Sequence, residues 1–343
     1  MKTGPVSKAE YERLVYRIGR NRCGNRPFSG LKDGMPIAER VALARQMQDN
    51  RCMAAGTVSG HSPLIVTMAT ERARAQLAAA RHTVTAMSLL LIAPEEMTEP
   101  ELRDYTREAF AAAELNDTEI IRERTDRVTA HVTASGRKLP EDGRKLPDTT
   151  AGTTTDGREL PGTADAPDTE DRFFLVMSGT AGIEGTLLLY EAEREMLEAR
   201  YPRHFLNGIP CLKEELATAG VIYDALKSEA VFAVPCAEAG VYGALWDLGE
   251  MLRVGMRVSL PEIPIARTTI EVCEVSDIDP YMMPSGGSII FVTQKPDLLC
   301  ETLNRTGRET AVIGELTKEA ARILDNRGET RFLEPFRRSS LTS

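Results

Sequence analysis

The stretch "VPCAEAGVYGALWDLGE", from Val234 to Glu250, decides how the second half of this 343-residue chain is interpreted. The apolar run Ala230–Val234 predicts a strand, and the apolar residues after Gly240 recur at helical spacing. A strand, a small-residue turn and a helix N-terminus form the usual geometry for holding an anion or a phosphate. Any packed strand–helix junction has the same pattern. Two interpretations therefore stay open, a nucleotide site and a packing site.

The composition is that of a soluble globular protein, with 42% apolar and 27% charged residues, and the length allows two domains. A net charge of −9 and an aromatic content of 5% argue against a nucleic-acid partner, which requires a basic face and stacking rings. The N-terminus lacks a signal-peptide core, and the longest apolar run, Ala86–Ala93, is too short to span a bilayer. We therefore expect a cytoplasmic protein without a membrane partner.

The six cysteines and four histidines are scattered along the chain. The cysteines form no C-x-x-C pair, and the histidines do not cluster at the spacing of a zinc site. In a reducing compartment such cysteines behave as small apolar side chains. The sequence therefore predicts no metal site built from them.

Helix and strand patterns alternate in the N-terminal half. Ser7 and Glu10 form a capping box before one predicted helix, and a second helix is predicted over Ala38–Asp49. Thr98 and Glu101 predict the start of a third helix. Its predicted buried stripe consists of Leu102, Tyr105, Ala109, Phe110 and Ala113. Strands are predicted at Leu64–Met68, Met87–Ile92 and, from its period-two alternation, Arg127–Ser135.

The composition changes between Gly136 and Asp171. One five-residue unit, GRKLP or GRELP, starts at Gly136, Gly143 and Gly157. The segment is rich in Gly, Pro, Thr and Asp, and its few apolar side chains do not offset the entropy of ordering it. We interpret it as a repeat-expanded linker. A docking motif presented in triplicate is the alternative.

Strand and helix patterns alternate irregularly in the C-terminal half, which favours an α+β fold over a doubly wound one. The predicted strands are Phe173–Met177, Ala230–Val234, Met256–Leu260, Ser288–Thr293 and Ala311–Leu316. The predicted helices are one that starts near Ile183, one around Lys213–Leu226, one after Gly240, Thr268–Val275 and Pro296–Asn304.

Two further small-residue stretches are candidate ligand loops. "GTAGIEGT" (Gly179–Thr186) lies at a strand-to-helix junction, where backbone N–H groups approach a phosphate, although it is neither a Walker A loop nor a G-x-G-x-x-G. Ser285–Ser288 precede an apolar strand, and a simple turn is the alternative for both stretches. The candidate substrate- or nucleotide-binding residues are Gly179, Gly182, Gly185, Thr186, Gly240, Ser285, Gly286, Gly287 and Ser288. Glu238, in the first turn of the helix predicted after the Ala230–Val234 strand, is the candidate catalytic carboxylate.

Four stretches in order carry a resemblance to a known family. They are "GTAGIEGTLLL", "VPCAEAGVYGALWDLGE", "LPEIPIARTTIEVCEVSDIDPYMMPSGGSIIFVT" and "AVIGELT". Together they resemble the C-terminal domain of the aminoimidazole-ribonucleotide (AIR) synthetase superfamily, on the synthetase-related branch similar to the hydrogenase maturation factor HypE. The stretch Ser88–Gly136 is similar to the end of that family's first domain, and the opening residues resemble its start.

The resemblance implies a two-domain α+β fold and a homodimer whose N-terminal domains pair, with ATP and magnesium bound there. We accordingly expect an N-terminal domain over residues 1–136, a linker over 137–170, a C-terminal domain over 171–320 and a tail over 321–343.

The chain departs from the family at the positions that carry chemistry. The family has an acidic loop that holds magnesium, and no counterpart of this loop is found between Asn21 and Met68. The position of the family's Asn-Asp pair falls near Ala75 and Gln76. The family's Gly-Gly-His-Thr-Glu stretch reads "RERTD", which leaves Arg122 and Arg124 as possible direct phosphate contacts.

In the opening stretch, the family's His, Asp and Thr are replaced by Val234, Pro235 and Ala237, whereas Glu238 and Gly240 stay. The chain also ends in "RRSSLTS" and lacks the terminal cysteine of HypE.

These departures support two main hypotheses. The first is a relative that has lost the ATP–magnesium site and acts as a binding or scaffold protein, as a homodimer or with an active paralogue. The second is an ATP-dependent enzyme that phosphorylates an amide or carboxamide oxygen, with Glu238, Ser285, Ser288 and the Gly179–Thr186 loop at its site. A small-molecule binding domain without nucleotide is a third interpretation.

Overall fold

The computed structural model describes residues 35–112, 115–140 and 172–335. These residues form an α+β architecture with two β-sheets and ten α-helices. The helices of the first half are α1 (Ile37–Asp49), α2 (Ile65–Ala79) and α3 (Glu99–Ala112). Its strands are β1 (Met53–Gly60), β2 (His82–Pro94), β3 (Asp117–Glu123) and β4 (Val128–Lys138).

The described residues 172–335 form seven helices and seven strands. The helices are α4 (Ile183–Ala192), α5 (Arg194–Arg200), α6 (Arg203–Leu206), α7 (Ala219–Lys227), α8 (Gly240–Leu252), α9 (Arg267–Ser276) and α10 (Pro296–Asn304), with 3-10 turns at Pro210–Leu216 and Leu260–Glu262. The strands are β5 (Phe174–Ser178), β6 (Ala230–Pro235), β7 (Gly255–Ser259), β8 (Ile289–Thr293), β9 (Thr310–Thr317), β10 (Arg322–Asn326) and β11 (Glu329–Phe332). Among the described residues, no helix has the length and apolar character needed to cross a membrane.

The first sheet has the strand order β1-β4-β2-β3. β4 lies antiparallel between β1 and β2, and β3 runs parallel to β2 at the edge. The alternation predicted over Arg127–Ser135 is confirmed, since Val128, Ala130, Val132 and Ala134 of β4 are buried and the residues between them are not. α2 lies so close to this face that a side chain at Gly56 of β1 would meet the backbone oxygen of Ala69 at 1.9 Å.

The second sheet has the strand order β11-β10-β7-β9-β5-β8-β6. All five residues of β8 are buried because apolar clusters cover both faces of the sheet at this strand. Leu175 and Met177 of β5 belong to the cluster that includes α8, and Val176 between them belongs to the cluster that includes α7 and α10. A strand buried on both faces is a continuous apolar run, which is how β8 was predicted.

Helices of the first half also pack on the second sheet. Ile37, Val41 and Ala44 of α1 lie in the same core as α8, and the Gln48 amide donates to the carbonyl of Ala233 at 2.9 Å. The last turn of α2 packs with α7 and β8. α2 therefore contacts both sheets. A charged side chain on its buried face lies between the first sheet and the second half of the chain.

Several predicted elements need correction. The strand predicted at Leu64–Met68 is wrong: from Ile65 the chain is helical in α2, whose alanine-rich sequence has high helix propensity. β1 was not predicted, because its residues "MAAGTVSG" are small and lack the usual β-forming side chains. Phe110 is 82% exposed and so does not belong to the buried stripe of α3, in which Tyr105 and Ala109 are buried.

The helix predicted around Lys213–Leu226 is divided. A 3-10 turn ends at Leu216, Ala217 is extended, and α7 begins at Ala219. The other predicted helices and strands of this half are confirmed to within two residues. The capping box of Ser7 and Glu10, Ala113 and most of the repeat segment lie outside the described residues. Residues that the sequence places in a tail form β10 and β11.

Candidate functional site

Three loops meet at one edge of the second sheet. Strands β5, β8 and β6 are neighbours, and β8 runs antiparallel to both. Ile289 at the start of β8 therefore lies opposite Ser178 at the end of β5 and Pro235 at the end of β6. We name the segments adjoining these positions the three-loop cluster. Its members are Gly179–Thr186, Cys236–Gly240 and Tyr281–Ser288.

The last of these loops closes the N-terminus of α4. The Ser285 hydroxyl accepts the backbone N–H of Gly182 at 2.8 Å and donates to the carbonyl of Met283 at 2.8 Å. The Pro284 carbonyl accepts the backbone N–H of Gly185 at 2.8 Å. N–H groups at the start of a helix have no acceptor within the helix. Here the loop supplies acceptors to two of them, those of Gly182 and Gly185.

The same loop closes the N-terminus of α8. The carbonyl of Tyr281 accepts the backbone N–H of Tyr242 at 3.2 Å, and the two rings stack with their centres 5.2 Å apart. Gly240 has a φ of +64°, and a side chain there would meet the Tyr281 carbonyl oxygen at 2.5 Å. Burial, with Asp279 adding to it, raises the pKa of Tyr242 far above its usual value. This part of the predicted ligand turn is therefore a tight packing contact.

Ser288 and Gly287 join the cluster to its surroundings. The Ser288 hydroxyl donates to the carbonyl of Thr180 at 2.6 Å, and the Ser288 carbonyl accepts the N–H of Cys236 at 2.8 Å. The carbonyl of Gly287 accepts a guanidinium N–H of Arg308. These bonds join separate loops, and the bond between Ser288 and Thr180 spans 108 positions of the sequence. They therefore hold the cluster together.

A buried ion pair lies beside the cluster. Glu184, on the first turn of α4, is 0% exposed, and Arg72 of α2 is 8% exposed. The Oε2 atom of Glu184 accepts Nη2 of Arg72 at 2.8 Å, Nε at 3.1 Å and the backbone N–H of Gly286 at 3.0 Å. Nη1 of Arg72 donates to the carbonyl of Thr57 in β1 at 2.7 Å. The guanidinium therefore connects α2 with the first sheet and with α4, and Glu184 connects this pair to the last loop.

A cavity of about 10 Å³ adjoins this ion pair, the size of a single water molecule. Its polar lining includes Glu71, Arg72, Glu184 and Gly286. The second carboxylate oxygen of Glu184, Oε1, is buried and has no hydrogen-bond partner among the described residues. Burial raises the pKa of Glu71, and Arg74 at 2.9 Å partly opposes that shift.

The structure brings most of the predicted binding residues together. Gly179, Gly182, Gly185, Gly240 and Ser285–Ser288 all lie in the three-loop cluster, where they pack against one another. Thr186 is buried, and its hydroxyl donates to the carbonyl of Gly182 at 2.8 Å.

The side chains of three other predicted residues take no part in these contacts, although Glu238 belongs to the Cys236–Gly240 segment of the cluster. Glu238 is half-buried, and its carboxylate makes no hydrogen bond or ion pair with a residue that the structure describes. Arg122 donates to the carbonyls of Glu95 and Met97, and Arg124 is 91% exposed beside Glu95. Within the described ranges, no hydrogen bond or ion pair joins either arginine to the three-loop cluster.

Sequence reasoning missed the Arg72–Glu184 pair, although a signal existed. Ile65, Met68, Arg72 and Ala75 follow one another at helical spacing, so Arg72 falls on the apolar stripe of α2. Glu184 interrupts the apolar and small residues of "AGIEGTLLL" in the same way. A charged residue on a buried apolar face predicts a buried partner of opposite charge. Its helical spacing does not show which residue that partner is.

The side chains at Glu184 do not fit a magnesium ion. Magnesium binds carboxylate oxygens in near-octahedral geometry, but Oε2 of Glu184 is already surrounded by three N–H donors and the positive guanidinium of Arg72. Among the described residues, no three His, Cys, Asp or Glu side chains are grouped as metal ligands require. Convergence of Asp104, Asp117 or Asp126 on one cavity would have supported a metal-dependent enzyme. Asp104 and Asp126 instead pair with the neighbouring Arg107 and Arg127, and Asp117 lies exposed at the start of β3.

Solved structures of HypE and of a thiamine monophosphate kinase share this α+β fold over most of their length. E. coli HypE, a hydrogenase maturation protein, is 18% identical, with a TM-score of 0.60 over 94% of this chain and 96% of that one. The thiamine monophosphate kinase AaThiL, complexed with AMPPCP and TMP, is 14% identical, with a TM-score of 0.56 over 96% of each chain. A HypE in complex with ATP gives 16% identity and a TM-score of 0.58, over 83% of this chain and 85% of that one.

The resemblance inferred from the four sequence stretches is therefore confirmed at the level of the fold. No protein-family model and no curated protein matches the chain. Identities below 20% leave substrate and activity to be argued from the site itself.

Proposed function

We propose that this protein is a non-catalytic binding or scaffold protein, cytoplasmic and homodimeric, built on the fold of ATP-dependent enzymes. One observation carries the proposal: the loop Tyr281–Ser288 supplies acceptors to the N-termini of both α4 and α8. In a nucleotide site those N–H groups would bind phosphate oxygens. Here Gly182, Gly185 and Tyr242 already donate to protein oxygens.

The volume of the cavity beside Glu184 supports the same proposal. Small-molecule sites usually enclose about 300–1,000 Å³, whereas the cavity beside Glu184 measures about 10 Å³. The positive charge that an anionic ligand would find there is also neutralised, because Arg72 pairs with Glu184. A triphosphate at this place would require the loops to separate and their hydrogen bonds to break.

Isothermal titration calorimetry with ATP and Mg²⁺ tests the loss of the nucleotide site. We expect no heat of binding at nucleotide concentrations up to about 1 mM, a range in which enzymes of this kind are normally saturated. A HypE that binds ATP serves as the positive control. Magnesium-dependent binding in the micromolar range would overturn the proposal.

An ATP-dependent enzyme is the second candidate. The solved complexes of neighbouring folds with ATP and AMPPCP favour it, and so does the unpartnered Oε1 atom of Glu184. The enzyme would activate an amide or carboxamide oxygen by phosphorylation, with Ser285, Ser288 and Glu238 near the reacting groups. Release of ADP from ATP that depends on an added amide, and that is lost in Glu238→Gln, would select this candidate.

The homodimer is argued from the first sheet. Every residue of the edge strand β3 is exposed, including Ile120 and Ile121. An exposed edge strand is a template for pairing with another chain, so a partner chain would cover it. Ile121 lies opposite Ile92 of β2, on the sheet face that α2 does not cover. We expect Ile121→Asp to convert a dimer to a monomer in light scattering. The control Met196→Asp, at an exposed position of α5, should not. A wild-type monomer would contradict the homodimer and leave pairing with a paralogue.

A further inference from the structure

We propose that His131 makes the pairing of two chains dependent on pH, because it lies within the sheet face on which the partner chain would pack. This inference rests on the homodimer of the proposed function and adds a regulation to it. It assigns a role to a histidine that belongs to no motif of the sequence.

His131 lies on the face of the first sheet that α2 does not cover. It is the fourth residue of β4, an inner strand of the sheet, and it lies opposite Thr57 of β1 and Leu90 of β2. Its neighbours Ala130 and Val132 are buried on the opposite face. Sheets that pack face to face lie about 10 Å apart. A partner sheet on the uncovered face would therefore enclose the imidazole.

The strands around His131 carry no charge. No Asp, Glu, Lys or Arg occurs in Met53–Gly60 of β1, in 88–92 of β2 or in 128–135 of β4, although 27% of the chain is charged. Depletion of charged residues is typical of the buried centre of an interface. A twofold contact also brings the same residues of both chains together, where like charges would repel one another. A second copy of this chain therefore fits the face.

The charged side chains of this face within the four strands lie at its margins. Asp117, Glu119 and Glu123 are on β3, on the far side of β2, and Arg137 is six positions along β4 from His131. Adjacent strands are about 4.8 Å apart, so β3 lies about 10 Å from β4. Within one chain, neither β1 nor β2 therefore places a charged side chain next to His131.

The single chain tolerates both protonation states of His131. Nδ1 lies 2.7 Å from the hydroxyl of Thr57, and Nε2 lies 3.4 Å from the hydroxyl of Thr133. A hydroxyl donates as well as accepts, so these contacts suit the neutral and the protonated ring alike. The ring is also only half-buried in one chain. Inside a dimer, in contrast, protonation would place a positive charge in an uncharged contact from which water is excluded, and burial disfavours the charged form.

The dimer should therefore be favoured above about pH 6.5, the ordinary pKa of a histidine side chain, and should weaken as the pH falls below it. Between pH 7.5 and pH 6.0 the neutral fraction of such a side chain falls about 4-fold, and two chains together weaken the dimer about 15-fold. The net charge of the chain, −9 at pH 7, becomes less negative over the same interval, which reduces repulsion between two copies. A weaker dimer at pH 6.0 therefore has the opposite sign to the effect of net charge.

Sedimentation velocity of the full-length protein over a dilution series measures the dissociation constant at pH 7.5 and at pH 6.0, both above the sequence pI of about 5.3. At equal ionic strength, we expect the wild-type dimer to be about 15-fold weaker at pH 6.0. His131→Gln and His131→Asn do not take up a proton, so their dissociation constants should change by less than about 3-fold. The control His61→Gln, at an exposed histidine between β1 and α2, should keep the wild-type response.

Circular dichroism at both pH values reports whether the chain stays folded, and loss of the folded signal at pH 6.0 would contradict a device that acts on pairing. A wild-type dimer that is equally strong or stronger at pH 6.0 would overturn the inference and leave the homodimer in place. A full pH response in the His131 variants would do the same. A wild type that is monomeric at pH 7.5 would refute the homodimer itself, and the inference with it.

Discussion

The hydroxyl of Ser285 accepts the backbone N–H of Gly182 across 103 positions of sequence, at a distance of 2.8 Å. The backbone N–H of Ser285 also donates to the carbonyl of Ala237, in the turn before α8. One buried serine therefore bonds to two of the segments predicted to bind a ligand. Serine also occurs in phosphate-binding loops, but here its hydrogen bonds join two loops of the protein. Substituting Ser285 therefore tests the interpretation that these loops pack against each other.

We expect Ser285→Ala to lower the free energy of unfolding by about 1–3 kcal/mol, because the buried N–H of Gly182 loses its acceptor. Urea unfolding followed by circular dichroism measures the change. Thr106→Ala, on the exposed side of α3, should shift stability by less than about 0.5 kcal/mol. A Ser285 variant as stable as wild type would show that the hydroxyl does not hold the loops together.

A second prediction compares two glycines. Gly240→Ala should destabilise the protein by more than about 2 kcal/mol, since its φ of +64° disfavours a side chain and the new methyl would meet the Tyr281 carbonyl. Gly220, in α7, has no atom within 4 Å of a built side chain. Gly220→Ala should therefore be neutral or stabilising by up to about 1 kcal/mol. Equal effects of the two substitutions in chemical denaturation would contradict this account.

Local patterns predicted the elements whose burial repeats regularly. The alternation of β4 and the apolar spacing of α8, where Val241, Leu245 and Leu248 are fully buried, were evident in the sequence. Both follow from which face of a single element meets the core. β1 was not predicted because its small side chains have low strand propensity. Its strand conformation depends on the backbone hydrogen bonds that it forms with β4.

The sequence singled out small residues in all three loops, and whether they bind a ligand stays a prediction. The structure brings these loops together because their strands begin or end at the same sheet edge. Whether such a loop meets a ligand or another loop depends on partners more than a hundred residues away, such as Ser285 for Gly182. The same holds for Arg72 and Glu184, which are 112 residues apart.

A third prediction concerns the cysteines. Burial raises the pKa of Cys236 and Cys273 to about 12, with Asp279 adding to the shift at Cys273. A raised pKa keeps a thiol protonated, so at about pH 8 the thiolate fraction is on the order of 10⁻⁴. Iodoacetamide should therefore modify the exposed Cys52 and Cys211 in the native protein and spare the buried pair. Mass spectrometry of tryptic peptides gives the answer.

In guanidinium chloride all of these cysteines should react, which controls for peptide detection. Rapid native labelling of Cys236 would mean that the turn between β6 and α8 opens in solution. That result would weaken the packing interpretation of the three-loop cluster, because Cys236 donates its N–H to Ser288.

The last prediction concerns the repeat segment, whose role as a linker between two domains is a proposal. Deleting Glu141–Thr163 removes two of the three five-residue units and leaves the described residues intact. Because the deleted sequence offers few apolar side chains, we expect the melting temperature to change by less than about 2 °C, the shift produced by roughly 0.5–1 kcal/mol in a chain of this size. Differential scanning calorimetry measures it. A control deletion of β11, Glu329–Phe332, removes strand hydrogen bonds to β10 and should lower the melting temperature clearly. A comparable fall after both deletions would mean that the repeats contribute packing of their own, and the docking-motif alternative would then gain support.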